Sequence, residues 1–186
     1  MSEAAAGASL RSVEMKQRAR DGFDAWARTY DRSPLNRFLF RPAYTMVMEE
    51  IARWYAEKRR PFRVLDVGCG TGTLASLLGR SPWPVRVVGL DYAAAMCTAA
   101  VDKARSLTSG DSSTAKSRPR FINGDAEHLP FADASFDFVT CSNSFHHYPH
   151  QQAVISEMRR LLSPDGRLSS STDSATAPSA GSSTTW

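Results

Sequence analysis

The residues of this chain best suited to chemistry begin with three glycines, Gly68, Gly70 and Gly72, set in RVLDVGCGTGTLASLLG between two apolar runs. Glycine permits positive φ and leaves no Cβ between backbone and ligand. An acidic residue, Asp91, closes the next apolar run, 21 residues after Gly70. A carboxylate at that distance can accept hydrogen bonds from both hydroxyls of a ribose, so loop and acid together point to an adenosine-type ligand. Two features weigh against a dinucleotide. The dinucleotide pattern needs a small residue at position 73 for helix–strand packing, and Thr73 stands there. Asp66, two residues before the first glycine, would repel a pyrophosphate but attract an ammonium or sulfonium. The loop suits a ligand that carries positive charge. Further along, Asp125 follows a strand-like run and a glycine, and the pair His146-His147 has the near-neutral titration of a proton acceptor.

The elements that position these residues follow from periodicity. Residues 10–30 read as a helix with Phe23, Trp26 and Ala27 on an apolar edge, after a frayed, small-residue start at 1–9. A second helix is expected from Pro42, which suits a first turn, through Lys58, with Tyr44, Val47, Met48, Ile51, Trp54 and Tyr55 at helical spacing. After Pro61 come short apolar runs at 62–67, 85–90, 120–123 and 136–141, separated by helical stretches at 73–80 and 93–105, with another helix at 151–162. Strands alternating with helices predict an α/β fold. It is expected to be a Rossmann-like, doubly wound parallel sheet with helices on both faces. Three regions are expected: an N-terminal helical segment at 1–61 on the substrate side, a ligand-binding domain at 62–168, and a disordered tail at 169–186. Residues 106–119 are polar and read as a surface loop.

VLDVGCGTG resembles the first motif of the class I S-adenosylmethionine-dependent methyltransferases, and VVGLDYAAAM resembles their second. FINGDAEHLPFADASFDFVTCSNSFHHY and ISEMRRLLSPDGRL resemble the later motifs of the small-molecule branch called type 11, a likeness running from Gly22 to Leu168. The resemblance implies S-adenosyl-L-methionine as cofactor and a small-molecule methyl acceptor. It implies that Asp66 and the backbone at Gly68 and Gly70 face the methionine part. Asp91 would hold the ribose, with Tyr92 and Met96 against the adenine, and Asp125 would accept the adenine amine beside the Ala126 N–H. Asn143, past the fourth strand, falls at the cofactor–substrate boundary, and Tyr30 resembles an upstream aromatic that closes over the cofactor. His147 and His146 are the candidate general bases. Glu127 and Asp137 are expected to hold loops or strand ends, and Cys69 to be a packed, inert thiol. A non-catalytic cofactor-binding scaffold and a nicotinamide-dependent oxidoreductase are the alternatives.

Composition bounds the rest. With 186 residues, 42% hydrophobic and 23% charged, the chain can bury a core. Its net charge of +4 comes from scattered basic residues, which favours a mildly basic surface over a nucleic-acid partner. No apolar run is long enough to span a bilayer, and the start lacks a secretory pattern, so a cytoplasmic protein is expected. Three separated cysteines form no CxxC pair, and the histidine pair has no carboxylate or cysteine cluster beside it. Neither a disulfide framework nor a metal site is indicated. Eleven of the last 18 residues are Ser or Thr, with no Val, Ile, Leu or Phe among them. The family's sheet has seven strands, of which four are clear here, so the far edge strands are expected to be missing. A shortened or frame-shifted version of a longer enzyme, weakly active or inactive, would follow. Serines encoded by TCN would read as Phe, Leu, Ile or Val one base earlier.

Overall fold

In the computed structural model, residues 3–106 and 118–171 are described. Two helices, α1 (Glu3–Trp26) and α2 (Pro34–Lys58), flank a 3-10 turn at Tyr30–Arg32. There follow β1 (Phe62–Val67), α3 (Thr73–Gly79), β2 (Val85–Asp91), α4 (Ala94–Ser106), β3 (Arg120–Asn123) and β4 (Phe136–Ser142). A 3-10 turn at Phe145–His147, α5 (Gln151–Leu161) and β5 (Leu162–Ser171) complete the order. The five strands form one sheet ordered β3-β2-β1-β4-β5, parallel throughout. The order reverses beside β1, which puts the first loop at a switch point of the topology.

Side chains alternate across β1 and fill both faces of the sheet. Val64 turns to one side, with Val87 and Phe138, against Val47, Ile51 and Trp54 of α2 and Leu74 and Leu78 of α3. Leu65 and Val67 turn to the other, with Val139, against Val154, Met158 and Leu161 of α5. A third cluster joins Ala27 to Ala93 and Met96, with Phe23 and Tyr30 packed on it, and brings the N-terminal segment over the start of α4. Asp24 of α1 adds a polar tie there, because its carboxylate accepts the Ala95 N–H at 2.9 Å in α4's first turn. Asp137 holds a strand end as expected, accepting the Arg63 N–H at 2.9 Å and the Arg60 guanidinium at 2.8 Å.

Several boundaries differ from the sequence reading. α1 starts at Glu3, not Leu10, because Ala4-Ala5-Ala6 is strongly helix-forming. α2 starts eight residues early at Pro34, and Pro42 lies inside the helix rather than at its start. Pro34 supplies the pre-set φ of a first turn, which frees Pro42 from that role. The fifth strand, expected to be missing past Leu168, is present to Ser171 and pairs with β4 through Cys141↔Ser170 and Ser142↔Ser171. The expectation treated that position as fully buried. Ser169 is only partly buried and Ser170 is exposed, so their hydroxyls keep contact with solvent while the backbone pairs. The SPDG turn is an excursion in this strand: partners shift from Phe136↔Leu162 to Phe138↔Arg167. The polar stretch at 107–117 and the tail at 172–186 lie outside the described residues. No described helix is long and apolar enough to cross a membrane.

Trp54 is fully buried, with its ring 5.3 Å from Phe62 and 5.4 Å from Phe138. Trp54→Ala should lower unfolding free energy by about 3–5 kcal/mol, measured by urea denaturation.

Candidate functional site

The carboxyl ends of β1, β2, β3 and β4 open into one cleft, with α1 as the facing wall and about 910 Å³ of empty space including its mouth. This is the edge at which open parallel sheets bind ligands. The glycine loop is pinned to the end of β2, because Gly68 and Cys69 donate their N–H groups to the Leu90 carbonyl at 2.8 and 3.0 Å. The three glycines serve different ends. A Cβ on Gly68 would collide with the hydroxyls of Ser144 and Tyr148, and one on Gly72 would lie 2.7 Å from the Phe121 ring. Those two are glycine so that the protein can pack. Nothing lies within 4 Å of a Cβ placed on Gly70, whose φ is +53° and which lines the cleft.

Asp91 sets the position of Gly70. Its Oδ2 accepts the Gly70 N–H at 2.8 Å and its Oδ1 the Ala93 N–H at 2.9 Å. Burial holds its carboxyl above the usual range, and the two N–H groups offset part of that rise. Asn143 faces the same space with a left-handed backbone (φ +59°), and both polar atoms of its amide are buried without a partner. A buried amide left unpaired is costly, so this one is a donor and acceptor poised for a ligand.

Ten of the twelve site residues expected from sequence come together here. Tyr30, Gly68 and Gly70 line the cleft, as do Asp91, Tyr92 and Met96; Asp125, Ala126, Asn143 and His147 complete the set. Asp66 does not line it. It is 3% exposed, accepts the Thr140 hydroxyl at 3.0 Å, and is pushed up to about 7 by burial. The expected charge facing the ligand is therefore a buried carboxyl that is only partly ionised at neutral pH. His146 is also outside the walls, with its ring 3.9 Å from that of His147. Burial, with a smaller contribution from His146, lowers the titration of His147, whose ring meets the Phe23 ring edge-on at 5.0 Å. Cys69 is buried and its thiol is pushed well up by that burial.

The sequence reading puts the N-terminal helices on the substrate side but misses Lys16 and Tyr44 among the residues that reach the cleft. Lys16 of α1 reaches Asp125 Oδ2 at 2.6 Å and Glu127 Oε2 at 2.8 Å. The other oxygen of Asp125 accepts the Glu127 N–H at 3.0 Å. An adenine amine at Asp125 must therefore share or displace Lys16. His150 extends the tie, with Nδ1 3.0 Å from Glu127 and Nε2 2.9 Å from the Ser12 hydroxyl. Tyr44 of α2 also lines the cleft, its hydroxyl pushed upward by burial and, less, by Asp66. A lysine 109 residues before its carboxylate leaves no local signal in the chain.

A doubly wound parallel sheet with an open glycine and a strand-end carboxylate facing one cleft defines a nucleoside-binding protein of the Rossmann-like class. The family model described as "Methyltransferase domain" matches residues 65–170. The chain belongs to this family, the type 11 branch of the class I S-adenosylmethionine-dependent methyltransferases. It is 35% identical over 153 residues to a demethylmenaquinone methyltransferase of Thermotoga maritima, a match that covers 82% of this chain and 60% of that protein. The crystal structure of YcgJ from Bacillus subtilis superposes with a TM-score of 0.57 at 31% identity, covering 68% of this chain and 48% of that one. A putative S-adenosylmethionine-dependent methyltransferase of Methanococcus maripaludis shares the fold, with a TM-score of 0.62 at 20% identity and coverage of 78% and 61%. The matches with the first curated relatives span between 41% and 60% of the relatives' own lengths.

The Lys16 tie makes docking of α1 pH-dependent. Burial raises both carboxyls, but hydrogen bonds from Lys16, joined by the Glu127 N–H at Asp125 and by His150 at Glu127, outweigh it and hold both below their usual ranges. A carboxylate depressed on folding contributes stability above its unfolded pKa, and that stability is lost as pH falls through the folded value. The protein should thus have a higher urea midpoint than Lys16→Met at pH 7. The difference should shrink steadily once the pH drops below about 4.

Proposed function

We propose that this chain binds S-adenosyl-L-methionine in the cleft and transfers its methyl group to an uncharged small-molecule acceptor. The observation that carries this reading is the pairing of Gly70, open to the cleft at a positive φ, with the Asp91 carboxylate that fixes its N–H. The unpartnered Asn143 amide gives the cofactor a further donor and acceptor. Asp91 would take the ribose hydroxyls on the lone pairs left free by Gly70 and Ala93. Tyr92, Met96 and Ala126 would flank the adenine, and Asp125 would meet its amine in competition with Lys16. The backbone at Gly68 and Gly70, backed by Asp66, would receive the methionine part, and Tyr30 would close over it. When bound, the cofactor supplies a methyl group on a sulfonium, already activated for displacement by a nucleophile.

The protein's part is then alignment and exclusion of water. Phe23, Tyr30 and Tyr44 give the cleft an aromatic lining beside His147. That lining favours a neutral, flat or apolar acceptor over a charged one. Burial lowers the titration of His147, which favours the neutral imidazole able to take a proton from an acceptor hydroxyl or acidic carbon. His146 does not line the cleft and is assigned no contact with the acceptor. Relatives named for demethylmenaquinone support a small-molecule acceptor.

Isothermal titration with S-adenosylhomocysteine and with NAD tests the cofactor assignment. The first should bind and the second should not. Asp91→Ala should weaken S-adenosylhomocysteine binding by about 2–4 kcal/mol, because two charge-assisted hydrogen bonds are lost. Gly70→Val, which fills the open space with a branched side chain, should abolish it. A folded Gly70→Val protein with intact affinity would place the ligand elsewhere. Turnover on a panel of hydroxyl and carbon acceptors should fall about 10²–10⁴-fold in His147→Gln while cofactor affinity holds. Equal turnover in that variant would remove the base.

A further inference from the structure

Lys103, near the end of α4, is used by none of the roles above, yet its ammonium is fully engaged. It donates to Asp31 Oδ1, Thr71 Oγ1 and Thr73 Oγ1, each at 2.9 Å, and lies 2.8 Å from Asp31 Oδ2. The Thr71 hydroxyl in turn donates to Asp31 Oδ1 at 2.7 Å. An ammonium has three protons, and here each has an oxygen. These contacts join α4 to two segments distant from it in sequence: the 3-10 turn that carries Tyr30, and the glycine loop with the first residue of α3.

Both ends of this clasp reach the cleft. Thr71 is 1% exposed and lies between Gly70 and Gly72, so its side chain governs how the loop presents the open Gly70. Asp31 follows Tyr30, whose ring lines the cleft between Trp26, edge-on at 4.7 Å, and Phe40, stacked at 6.0 Å. The turn Tyr30–Arg32 has no buried residue of its own. The packing of Tyr30 on the Ala27, Ala93 and Met96 cluster, its ring contacts and the clasp hold the turn together. An isolated surface ion pair would do little for this. A lysine shared among a carboxylate and two hydroxyls, one of them buried, fixes a single geometry.

We infer that Lys103 is a positioning residue for the cofactor site: through Asp31 it holds Tyr30 over the cleft, and through Thr71 it holds the glycine loop in its ligand-accepting shape. This rests on the S-adenosylmethionine reading above. In that reading the clasp sets cofactor affinity without touching the cofactor. Loss of the ammonium leaves Asp31 and the buried Thr71 hydroxyl without their shared donor. Only the Thr71–Asp31 hydrogen bond then ties the turn to the glycine loop, and Tyr30 is less firmly placed over the cleft.

The test is a double-mutant cycle on the full chain, read by isothermal titration with S-adenosylhomocysteine. Lys103→Met and Asp31→Asn should each weaken binding about tenfold or more, and the double variant should be no weaker than the worse single one. In parallel, S-adenosylhomocysteine should protect the exposed Arg28 and Arg32 from trypsin in the unsubstituted protein and not in Lys103→Met. Asp31 is nearly half exposed, so Asp31→Asn keeps the test open should Lys103→Met fold poorly. Unchanged affinity in both single variants, or strictly additive losses, overturns the clasp while leaving the cofactor reading intact. An unsubstituted protein that binds no S-adenosylhomocysteine overturns the reading itself, and the clasp with it.

Discussion

One partly buried carboxylate organises the cleft. Asp91 spends both of its oxygens on backbone N–H groups, one from the glycine loop and one from the start of α4. Each of those groups belongs to a turn that leaves a strand, so a single side chain sets the relative positions of two strand ends. Burying a charge is unfavourable, and only well-aimed donors make it tolerable. The same donors offset part of the upward push of burial, and the side chain still lines the cleft. Asn123 extends the arrangement, because its amide donates to the carbonyls of Asp91 and Tyr92 at 2.9 Å and brings the end of β3 into line.

Against this fixed floor the N-terminal segment is held largely by charge. Lys16 joins α1 to the loop after β3, Asp24 joins it to the start of α4, and Asp31 meets Lys103. Between these polar ties lies a small apolar contact of Ala27, Ala93 and Met96 with Phe23 and Tyr30. The division of labour is physically sensible. The sheet and α2 take the large buried side chains, whereas a wall that must admit a ligand is tied by interactions that can exchange with it.

The sheet was largely legible because its signals are local. Each of the first four strands is a short apolar run, and the glycines, Asp91 and Asp125 lie at strand ends where periodicity alone places them. What could not be read had a different origin. The wall made by Lys16, Phe23 and Tyr44 depends on how two helices dock across the sheet, and no spacing in the chain encodes that angle. Asp66 was correctly placed at a strand end, but its depth was not, since only the packed structure shows that Thr140 and the loop cover it. β5 was misjudged because composition was taken as a measure of burial. Strand pairing needs backbone, and serines half in solvent supply it.

The three free thiols have a chemical consequence. Cys69, Cys97 and Cys141 are all buried, and burial pushes Cys69 well up and the other two up to about 11. Oxidants and alkylating reagents attack the thiolate, and burial disfavours that form at all three positions. Cys69 lies within the glycine loop itself, where a sulfenic acid would block the site. The loop thus carries a soft, compact side chain whose reactive form is disfavoured by burial. Any thiol labelling would report transient opening of the fold at that sulfur, and a bound ligand would slow the Cys69 clock most of all.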